Sequence, residues 1–311
     1  MAITSMLMPK RYWLDNYGKA CDKDNVRAFR FIREIQLAYS QRTIQGVYKD
    51  VFVKDGKLHF THDLSQIADG DFLWSDNPFG NVNDIDERDK HAVLEFSQCT
   101  RELANLAPII DIILKDLSGK TAAVAIHARP GPLPVRENTV HSTGAISSTD
   151  VSNSHTFMYT STLQDGRTSD IVMDLTGSQY GWPSTEGLQL WDSYFDQRAV
   201  SQVESIPLNE FRESFDKDVQ MSYPRPKFWE KVFEAERIVL HHAQMGLEDW
   251  LAEEGLGMKA FLELPDAEFE TDFARLVGVV VENVDRGVES CMREGKYVVS
   301  KDAAGILEFA V

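Results

Sequence analysis

The amino-acid sequence predicts an α+β fold in which an antiparallel sheet packs on a central helix, with a helical C-terminal portion completing the chain. The first indication is Asp165-Gly166, which lies between two runs rich in β-branched and aromatic residues, 154–160 and 171–176. This is the pattern of a tight β-hairpin. The second indication is the helical spacing of apolar residues. This spacing recurs in three segments: 88–117, 226–253 and 266–294.

The N-terminal third contains a predicted helix and a second predicted hairpin. Apolar residues from Val26 to Ala38 repeat at helical spacing, so we predict an amphipathic helix over residues 24–40. Asp55-Gly56 then separates the short runs 51–53 and 58–60, which predicts a hairpin. Residues 70–90 are rich in Asp and Asn and are predicted to form a solvated loop.

A long helix and a buried strand are predicted next. The pattern is helical from Arg88 to Leu117, with apolar residues from Leu103 to Leu117 on one stripe, and we expect Pro108 to kink or divide this stretch and Gly119 to end it. The apolar run 122–127 is typical of a short buried strand. The Ser/Thr-rich segment 129–154 is long for a connection inside a compact domain, which predicts a lid near a site or local disorder.

The C-terminal portion is predicted to be acidic and mainly helical. The two periodic runs indicate long helices, and the stretches 296–299 and 306–309, separated by a turn with Gly305, indicate a closing strand pair. We therefore divide the chain into an α+β core, residues 1–204, and a helical portion, residues 205–311, packed on that core.

Composition restricts the classes of partner. The 311 residues carry a formal net charge of −17, so a nucleic acid is an unfavourable partner. No apolar run approaches the roughly 20 residues that span a bilayer, and the first ten residues make a poor signal peptide. Three cysteines do not make a disulfide framework. These features predict a cytoplasmic protein that does not associate with membranes, and they give no indication of its oligomeric state.

The chain offers weak metal-binding patterns only. His59-x-x-His62 and the pair His241-His242 lack a matching set of carboxylates or thiols. The acidic run 81–86 lacks the glycine that a calcium-binding loop requires. We therefore predict neither a metal site nor a cofactor.

The predicted hairpin brings a histidine and an aspartate together. If its turn is centred on the Asp-Gly dipeptide, His155 opposes Thr176 and Asp174 opposes Phe157. His155 and Phe157 share a face of the sheet, so Asp174 is the diagonal neighbour of His155, roughly 7–8 Å away between backbones. A carboxylate there can hold one imidazole nitrogen and leave the other free as a base.

Cys99 is the candidate nucleophile for such a base. The thiolate is the reactive form of cysteine, and a neighbouring imidazole and a helix N-terminus both favour it. The backbone N–H of Cys99 and one side-chain donor would form an oxyanion hole, and Gln98 and Gln179 are the candidates for that donor. Attack on an amide, ester or thioester would give an acyl-enzyme that water or an amine resolves.

Two runs of residues resemble a known family. They are 155–157, with the sequence HTF, and 174–182, with the sequence DLTGSQYGW. These runs resemble the His/Asp half of the transglutaminase-like, papain-like cysteine enzyme superfamily, and the Gly-Trp ending is similar to that of fungal members. The resemblance extends over roughly residues 90–200. It implies a Cys-His-Asp triad of Cys99, His155 and Asp174, with Cys99 at or near the start of a helix packed on an antiparallel sheet.

Each of these residues also has a structural interpretation. Cys99 lacks a neighbouring glycine, and a helix running straight through from Arg88 would place it mid-helix as a small core residue. His155 and Asp174 can form a structural hydrogen-bonded pair. Arg101 and Glu102 are predicted to form a solvated helix face.

Three functions therefore remain open. The first is a cysteine hydrolase or acyltransferase acting on a small-molecule or acyl substrate. The second is a biosynthetic cyclase or isomerase that retains the fold and uses an apolar cavity, with His155 or Asp174 as acid, base or orienting group. That cavity would be lined by four aromatic residues: Trp74, Phe157, Tyr180 and Trp182. The third is a non-catalytic interaction protein that binds a partner through an exposed apolar stripe on the helices of 226–294.

Overall fold

The computed structural model describes residues 21–42, 48–63, 65, 78–79, 82, 85–141, 143–164, 167–222, 226–295, 299–301 and 307–309. The chain is a mixed α/β protein. The helices are α1 (Lys23–Ser40), α2 (Glu87–Leu94), α3 (Cys99–Leu114), α4 (Trp191–Arg198), α5 (Leu208–Ser222), α6 (Pro226–Glu254), α7 (Met258–Leu262) and α8 (Asp266–Arg293).

The strands form three sheets. They are β1 (Tyr48–Lys54), β2 (Lys57–Asp63), β3 (Lys120–Ala128), β4 (Val135–Val140), β5 (Ile146–Asp150), β6 (Ser154–Gln164), β7 (Arg167–Met173), β8 (Leu188–Leu190), β9 (Ala199–Pro207), β10 (Val299–Lys301) and β11 (Leu307–Phe309). A five-stranded sheet has the order β8-β7-β6-β3-β9 and is antiparallel throughout. A four-stranded sheet has the order β1-β2-β4-β5, and β10 pairs with β11.

The hairpin predicted around the Asp-Gly dipeptide is confirmed in its register. Gln164 pairs with Arg167 and Met158 pairs with Met173, which is the alignment that places Asp174 diagonally from His155. The dipeptide itself, Asp165-Gly166, lies outside the described residues. The predicted strand at 122–127 is confirmed as β3, which lies between β6 and β9.

The long helix predicted over 88–117 is two helices, and Pro108 does not divide it. Pro108 lies inside α3, whereas the break falls between Leu94 and Cys99. Ser97, in this break, has a left-handed backbone conformation with φ 57°. That conformation interrupts a helix, and the chain resumes helical geometry at Cys99.

The prediction of a lid or disorder for 129–154 was wrong. Most of this segment is the strand pair β4–β5, and β4 runs parallel to β2. β5 is exposed along its whole length, so its polar Ser/Thr composition fits a solvated edge strand. The hairpin predicted around Asp55-Gly56 is confirmed as β1–β2. Strand β1 is the second edge strand of the four-stranded sheet, opposite β5.

One large hydrophobic cluster joins the helices to a face of the five-stranded sheet. It contains apolar residues of α1, α3, α5, α6, α7 and α8 together with Ala123, Met158, Ile171 and Met173 of the sheet. The predicted helices at 24–40, 226–253 and 266–294 are confirmed as α1, α6 and α8. The predicted division of the chain after residue 204 falls inside strand β9, which extends to Pro207 and pairs with β3.

The C-terminal strand pair is confirmed in β10 and β11, although its predicted turn at Gly305 lies outside the described residues. Most of the solvated loop predicted over 70–90 lies outside them as well, and its last part, from Glu87, is helical and begins α2. Among the helices in the described ranges, none is long and apolar enough to cross a membrane.

Candidate active site

Cys99 is the first residue of α3, which confirms the predicted position at a helix start. Gln98 precedes the helix and makes no side-chain capping hydrogen bond. The first intrahelical bond runs from the N–H of Glu102 to the carbonyl of Gln98 over 2.8 Å. The N–H groups of Cys99 and Thr100 therefore have no acceptor within the helix, and their partial positive charge favours an anion at this end. The Cys99 side chain is half-buried.

His155 and Asp174 are brought together by the β6–β7 hairpin. His155 lies on β6 opposite Ile126 of β3, and Asp174 directly follows the last residue of β7. The Nε2 of His155 lies 3.0 Å from Oδ1 of Asp174, and both side chains are buried. Because His155 lies on a strand paired with β3, backbone pairing and the carboxylate together set the orientation of the imidazole.

Asp174 is bound from several directions at once. Its Oδ1 also accepts the N–H of Thr176 over 3.1 Å, and its Oδ2 accepts the hydroxyl of Tyr194 over 2.7 Å. The Nη1 of Arg198 lies 3.9 Å from Oδ2. Burial alone would raise the pKa of Asp174, but the charge and hydrogen bond of His155, the charge of Arg198 and the Tyr194 hydroxyl together lower it. The carboxylate is therefore held ionised.

His155 carries a proton readily despite its burial. Desolvation opposes the imidazolium, but the charge and hydrogen bond of Asp174, followed by those of Cys99, raise the pKa of His155 to about 10. Because Nε2 is bound to Asp174, Nδ1 is the nitrogen that remains for Cys99. The geometry of Nδ1 toward Cys99 falls outside that of an ordinary hydrogen bond, yet the two groups lie close enough for each to shift the pKa of the other.

The environment of Cys99 favours the thiolate. Burial would raise the pKa of the thiol, but a hydrogen bond and the positive charge of His155 outweigh it and lower that pKa. A backbone hydrogen bond of Thr156 and the hydroxyl of Thr100, 3.8 Å from Sγ, contribute in the same direction. The Thr100 hydroxyl is in turn 3.1 Å from that of Thr156. Cys99 and His155 together thus tend toward a thiolate–imidazolium pair.

The predicted aromatic residues pack around the imidazole. The ring centroids of Tyr180, Phe157 and Trp182 lie 4.7, 5.9 and 6.1 Å from that of His155. The Tyr180 hydroxyl donates to the carbonyl of Ser154 over 2.7 Å, and all three rings are buried. These three aromatic rings therefore pack against the imidazole of His155. Trp74, the fourth predicted residue, lies outside the described residues.

Gln179 and Gln98 differ in their freedom to act as donors. The carboxamide of Gln179 is 1% exposed; it accepts the N–H of Ser97 over 3.0 Å and donates to the carbonyl of Thr176 over 3.0 Å. It thereby ties the turn before Cys99 to the turn after Asp174. The carboxamide of Gln98 makes no hydrogen bond with the described residues, and its Oε1 is buried without a partner. Of the two, Gln98 retains an uncommitted N–H beside Cys99.

A buried ion pair lies beneath the site. Glu95, in the break before Cys99, accepts a hydrogen bond from Arg33 of α1 and another from the N–H of Ser178 over 2.9 Å. Arg33 also donates to the carbonyl of Leu175. This pair connects α1, the Cys99 turn and the Asp174 turn. Sequence reasoning missed Glu95, Arg33 and Arg198, because charged residues at helix spacing are ordinarily solvated.

Glu102 contradicts the prediction of a solvated helix face. Its side chain is 2% exposed and accepts hydrogen bonds from Gln36, over 2.6 Å, and from Ser40. Arg101 is half-buried, with Nε 3.7 Å from a carboxylate oxygen of Glu236. The packing of α1 and α6 on α3 covers this face, and the residue types alone do not reveal that.

No group of three or more His, Cys, Asp and Glu side chains within the described part of the chain is placed to hold a metal ion. No family model, no curated protein and no solved structure matches the chain. The cluster formed by Cys99, His155 and Asp174 is the feature of the described chain that points to an activity.

Proposed function

We propose that the protein is a cysteine-dependent hydrolase or acyltransferase acting on an amide, ester or thioester. Cys99 is the nucleophile, His155 the general base and acid, and Asp174 the group that orients the imidazole. One observation carries the proposal: Asp174 occupies Nε2 of His155 over 3.0 Å, which leaves Nδ1 for a thiol at the first turn of a 16-residue helix.

The arrangement of elements supports a papain-like, transglutaminase-like core. In such a core, the nucleophile begins a helix that packs on an antiparallel sheet carrying the other two residues. Here α3 contacts β6, the strand of His155, and Asp174 follows the neighbouring strand β7. The same arrangement supports the resemblance of the segments 155–157 and 174–182 to that superfamily.

The first half-reaction uses these groups in sequence. The Cys99 thiolate attacks the carbonyl carbon of the substrate, and the carbonyl electron pair moves to oxygen. In this proposal, the N–H of Cys99 and the carboxamide N–H of Gln98 stabilise that oxyanion. As the tetrahedral intermediate collapses, the His155 imidazolium gives its proton to the departing amine, alcohol or thiol, and a thioester of Cys99 remains.

The second half-reaction resolves the thioester. Water or an amine attacks the acyl carbon while His155 accepts its proton. The tetrahedral intermediate then expels Cys99 as the thiolate, which restores the thiolate–imidazolium pair. Asp174 stays ionised throughout, because its hydrogen bonds and Arg198 favour the carboxylate in both protonation states of the imidazole.

All three cysteines are free thiols, and a reducing compartment such as the cytoplasm keeps a nucleophilic thiol active. The chain's net charge of −17 favours a small-molecule or acyl substrate over a nucleic acid.

Acyl transfer to Cys99 is the direct test. The protein is incubated with p-nitrophenyl acetate and with an acetyl thioester, and p-nitrophenol release and the mass of the Cys99 peptide are followed together. We expect a burst of product and an acetyl group on Cys99. Cys99→Ser and His155→Ala should each abolish the burst.

Cys21→Ser serves as a matched control, because Cys21 is buried and burial, followed by the charge of Asp22, raises the pKa of its thiol to about 11. This variant should retain the burst. Acetylation spread equally over surface groups, or a burst that survives Cys99→Ser, would contradict the proposed function.

The two other functions lack a comparable observation. The aromatic residues Phe157, Tyr180 and Trp182 pack against His155, Tyr180 stacks on Trp182, and Tyr194 completes the same cluster. Most of the apolar residues of α6 and α8 belong to the large buried cluster. We therefore make no second proposal.

A further inference from the structure

His155 and Arg198 approach different oxygens of the same carboxylate. The Nε2 of His155 lies 3.0 Å from Oδ1 of Asp174, and Nη1 of Arg198 lies 3.9 Å from Oδ2. At most 2% of any of these three side chains is exposed. Two cationic groups therefore share one anion in a part of the protein where charges are weakly screened.

Aromatic rings and the backbone fix the position of Arg198. Its Cζ lies 4.7 Å from the ring centroid of Trp182 and 5.2 Å from that of Tyr194, and a guanidinium is attracted to ring faces at these distances. The carbonyl of Arg198 also accepts the N–H of Arg129 over 2.8 Å. These contacts place the guanidinium independently of His155.

A glycine leaves the space that Arg198 and Asp174 need. A Cβ at position 177 would lie 2.5 Å from Oδ2 of Asp174 and 3.5 Å from Nη1 of Arg198. The first of these distances is closer than a carbon atom approaches an oxygen, so Gly177 allows the carboxylate to keep its position. Nη1 of Arg198 makes no hydrogen bond within the described chain, and its interaction with Asp174 is therefore one of charge.

Glu186 divides the charge of Arg198 between the surface and the interior. Its Oε2 accepts a hydrogen bond from Nη2 of Arg198 over 2.8 Å, and its side chain is 54% exposed. A carboxylate bound to a cation weakens the field that the cation exerts on other groups. Glu186 thus reduces the effect of Arg198 on Asp174 without cancelling it.

Other titratable groups also act on this pair. The Tyr194 hydroxyl donates to Oδ2 of Asp174 over 2.7 Å, and Glu95, paired with Arg33, adds a like charge near Asp174. Tyr180 packs against the imidazole, and the charge of Cys99 acts on it. Among the cations, His155 and Arg198 are the two that lower the pKa of Asp174.

We propose that Arg198 is a positioning residue that shares the Asp174 carboxylate with His155 and thereby limits how tightly Asp174 holds the imidazolium, and that Glu186 sets the strength of this effect from the surface. This inference rests on the proposed function, in which a neutral His155 accepts the proton of the water or amine that resolves the thioester. A carboxylate that faced His155 alone would keep the imidazole protonated to a higher pH. Arg198 increases the fraction of the acyl-enzyme that carries a neutral imidazole.

The first measurement is the titration of His155 by nitrogen-15 NMR in the Cys99→Ser chain, which lacks the thiolate, as the thioester does. Arg198→Gln should raise the midpoint by about one pH unit, because a nearby cation disfavours the imidazolium. Glu186→Gln should lower the midpoint by a smaller amount, since the charge of Arg198 then acts undivided. Asp192→Asn, a change at an exposed residue of the same helix, should shift it less than Glu186→Gln does.

The second measurement is the rate at which acetyl-Cys99, formed with p-nitrophenyl acetate, loses its acetyl group, followed by peptide mass spectrometry in chains that retain Cys99. Below the His155 midpoint, Arg198→Gln should release the group about tenfold more slowly, because one pH unit changes the neutral fraction tenfold. Above the midpoints of both chains, the two rates should converge. A merely structural disturbance would slow the release at every pH.

An unchanged or lower midpoint in folded Arg198→Gln, or a rate deficit that is equal at every pH, would overturn the inference. If Arg198→Gln fails to fold, Glu186→Gln decides: a midpoint that does not fall, or falls no more than in Asp192→Asn, would also overturn it. The proposed function fails separately. If the wild-type chain forms no acetyl-Cys99 while the midpoints move as expected, the sharing of Asp174 stands and the acyl-transfer activity does not.

Discussion

Asp174 and Glu102 are both buried carboxyl groups close to Cys99 in the fold, yet their pKa values move in opposite directions. Asp174 is 3% exposed and Glu102 is 2% exposed, so burial alone raises both pKa values. Asp174 faces His155 and Arg198, and its pKa is lowered. Burial raises the pKa of Glu102 to about 8; the hydrogen bonds of Ser40 and Gln36 and the charge of Arg101 offset this only in part, and the like charge of Glu95 adds to it.

Asp174 stays ionised because the charges of His155 and Arg198, together with its hydrogen bonds, outweigh its burial. A single cation is not always sufficient, since burial still raises the pKa of Glu95 beside Arg33. Neutral donors satisfy hydrogen bonds but compensate little of the desolvation of a charge. Asp174, His155 and Arg198 therefore form an ionic cluster next to the five-stranded sheet, and this cluster is suited to proton transfer. Glu102, between α1 and α3, is largely protonated at neutral pH and serves as a structural hydrogen-bonding group.

The largest expected effect comes from removing the ionised carboxylate. Asp174→Ala leaves His155 buried without its anion and leaves Arg198 paired with Glu186 alone, so we expect it to lower the free energy of unfolding by about 3–5 kcal/mol. Urea unfolding at pH 7 measures this. Asp174→Asn, which retains the shape and the hydrogen-bonding oxygen, should cost less. A loss below about 1 kcal/mol for Asp174→Ala would mean that the ionic cluster is not formed.

Glu102→Gln tests the protonated carboxyl through pH. The pKa of Glu102 is about 4.5 in the unfolded chain and about 8 in the folded chain. The protonated carboxyl therefore stabilises the fold fully below about pH 4.5, and this stabilisation is lost as the pH rises through about 8. The variant does not titrate. We therefore expect its stability relative to wild type to increase by about 2 kcal/mol between pH 5 and pH 7.

The contribution of Glu34, whose pKa burial raises to about 7, cancels in this difference because both proteins carry it. Glu289→Gln on the exposed face of α8 is the matched control. A difference between wild type and Glu102→Gln that is constant with pH would show that Glu102 is ionised, and the comparison with Asp174 would fail.

Tyr194→Phe is expected to have the smallest effect of the three. It removes the hydroxyl that donates to Oδ2 of Asp174 over 2.7 Å, and should lower the free energy of unfolding by about 1.5 kcal/mol because the acceptor is charged and buried. Tyr159→Phe is the control, since the Tyr159 hydroxyl donates to exposed Asp170. Equal losses in the two variants would contradict a special role for the buried carboxylate.

Local patterns were sufficient to predict the hairpin half of the site. Strand alternation and the Asp-Gly dipeptide place His155 diagonally from Asp174, because register depends on residues near in sequence. The break before Cys99 could not be predicted in the same way. Ser97 takes a left-handed conformation that glycine more often marks, and Gln179, far along the chain, binds its N–H.

The buried charges were also beyond sequence reasoning. Glu95, Glu102 and Arg33 are residue types that are usually solvated, and each is buried because helices distant in sequence pack over it. The strands β4 and β5 were missed for a related reason: their polar residues indicate a loop until pairing with β2 supplies hydrogen bonds to the backbone.

The central claim is that His155 and Asp174 make Cys99 a thiolate near neutral pH. The most direct test is the rate of Cys99 alkylation by iodoacetamide as a function of pH, read by peptide mass spectrometry. The buried residues Cys21 and Cys291 are internal references. The account predicts rapid reaction with an apparent pKa below the ordinary value of about 8.5, and a rise of that pKa in His155→Ala. Inertness of Cys99, or a pH profile shared with the other two cysteines, would contradict it.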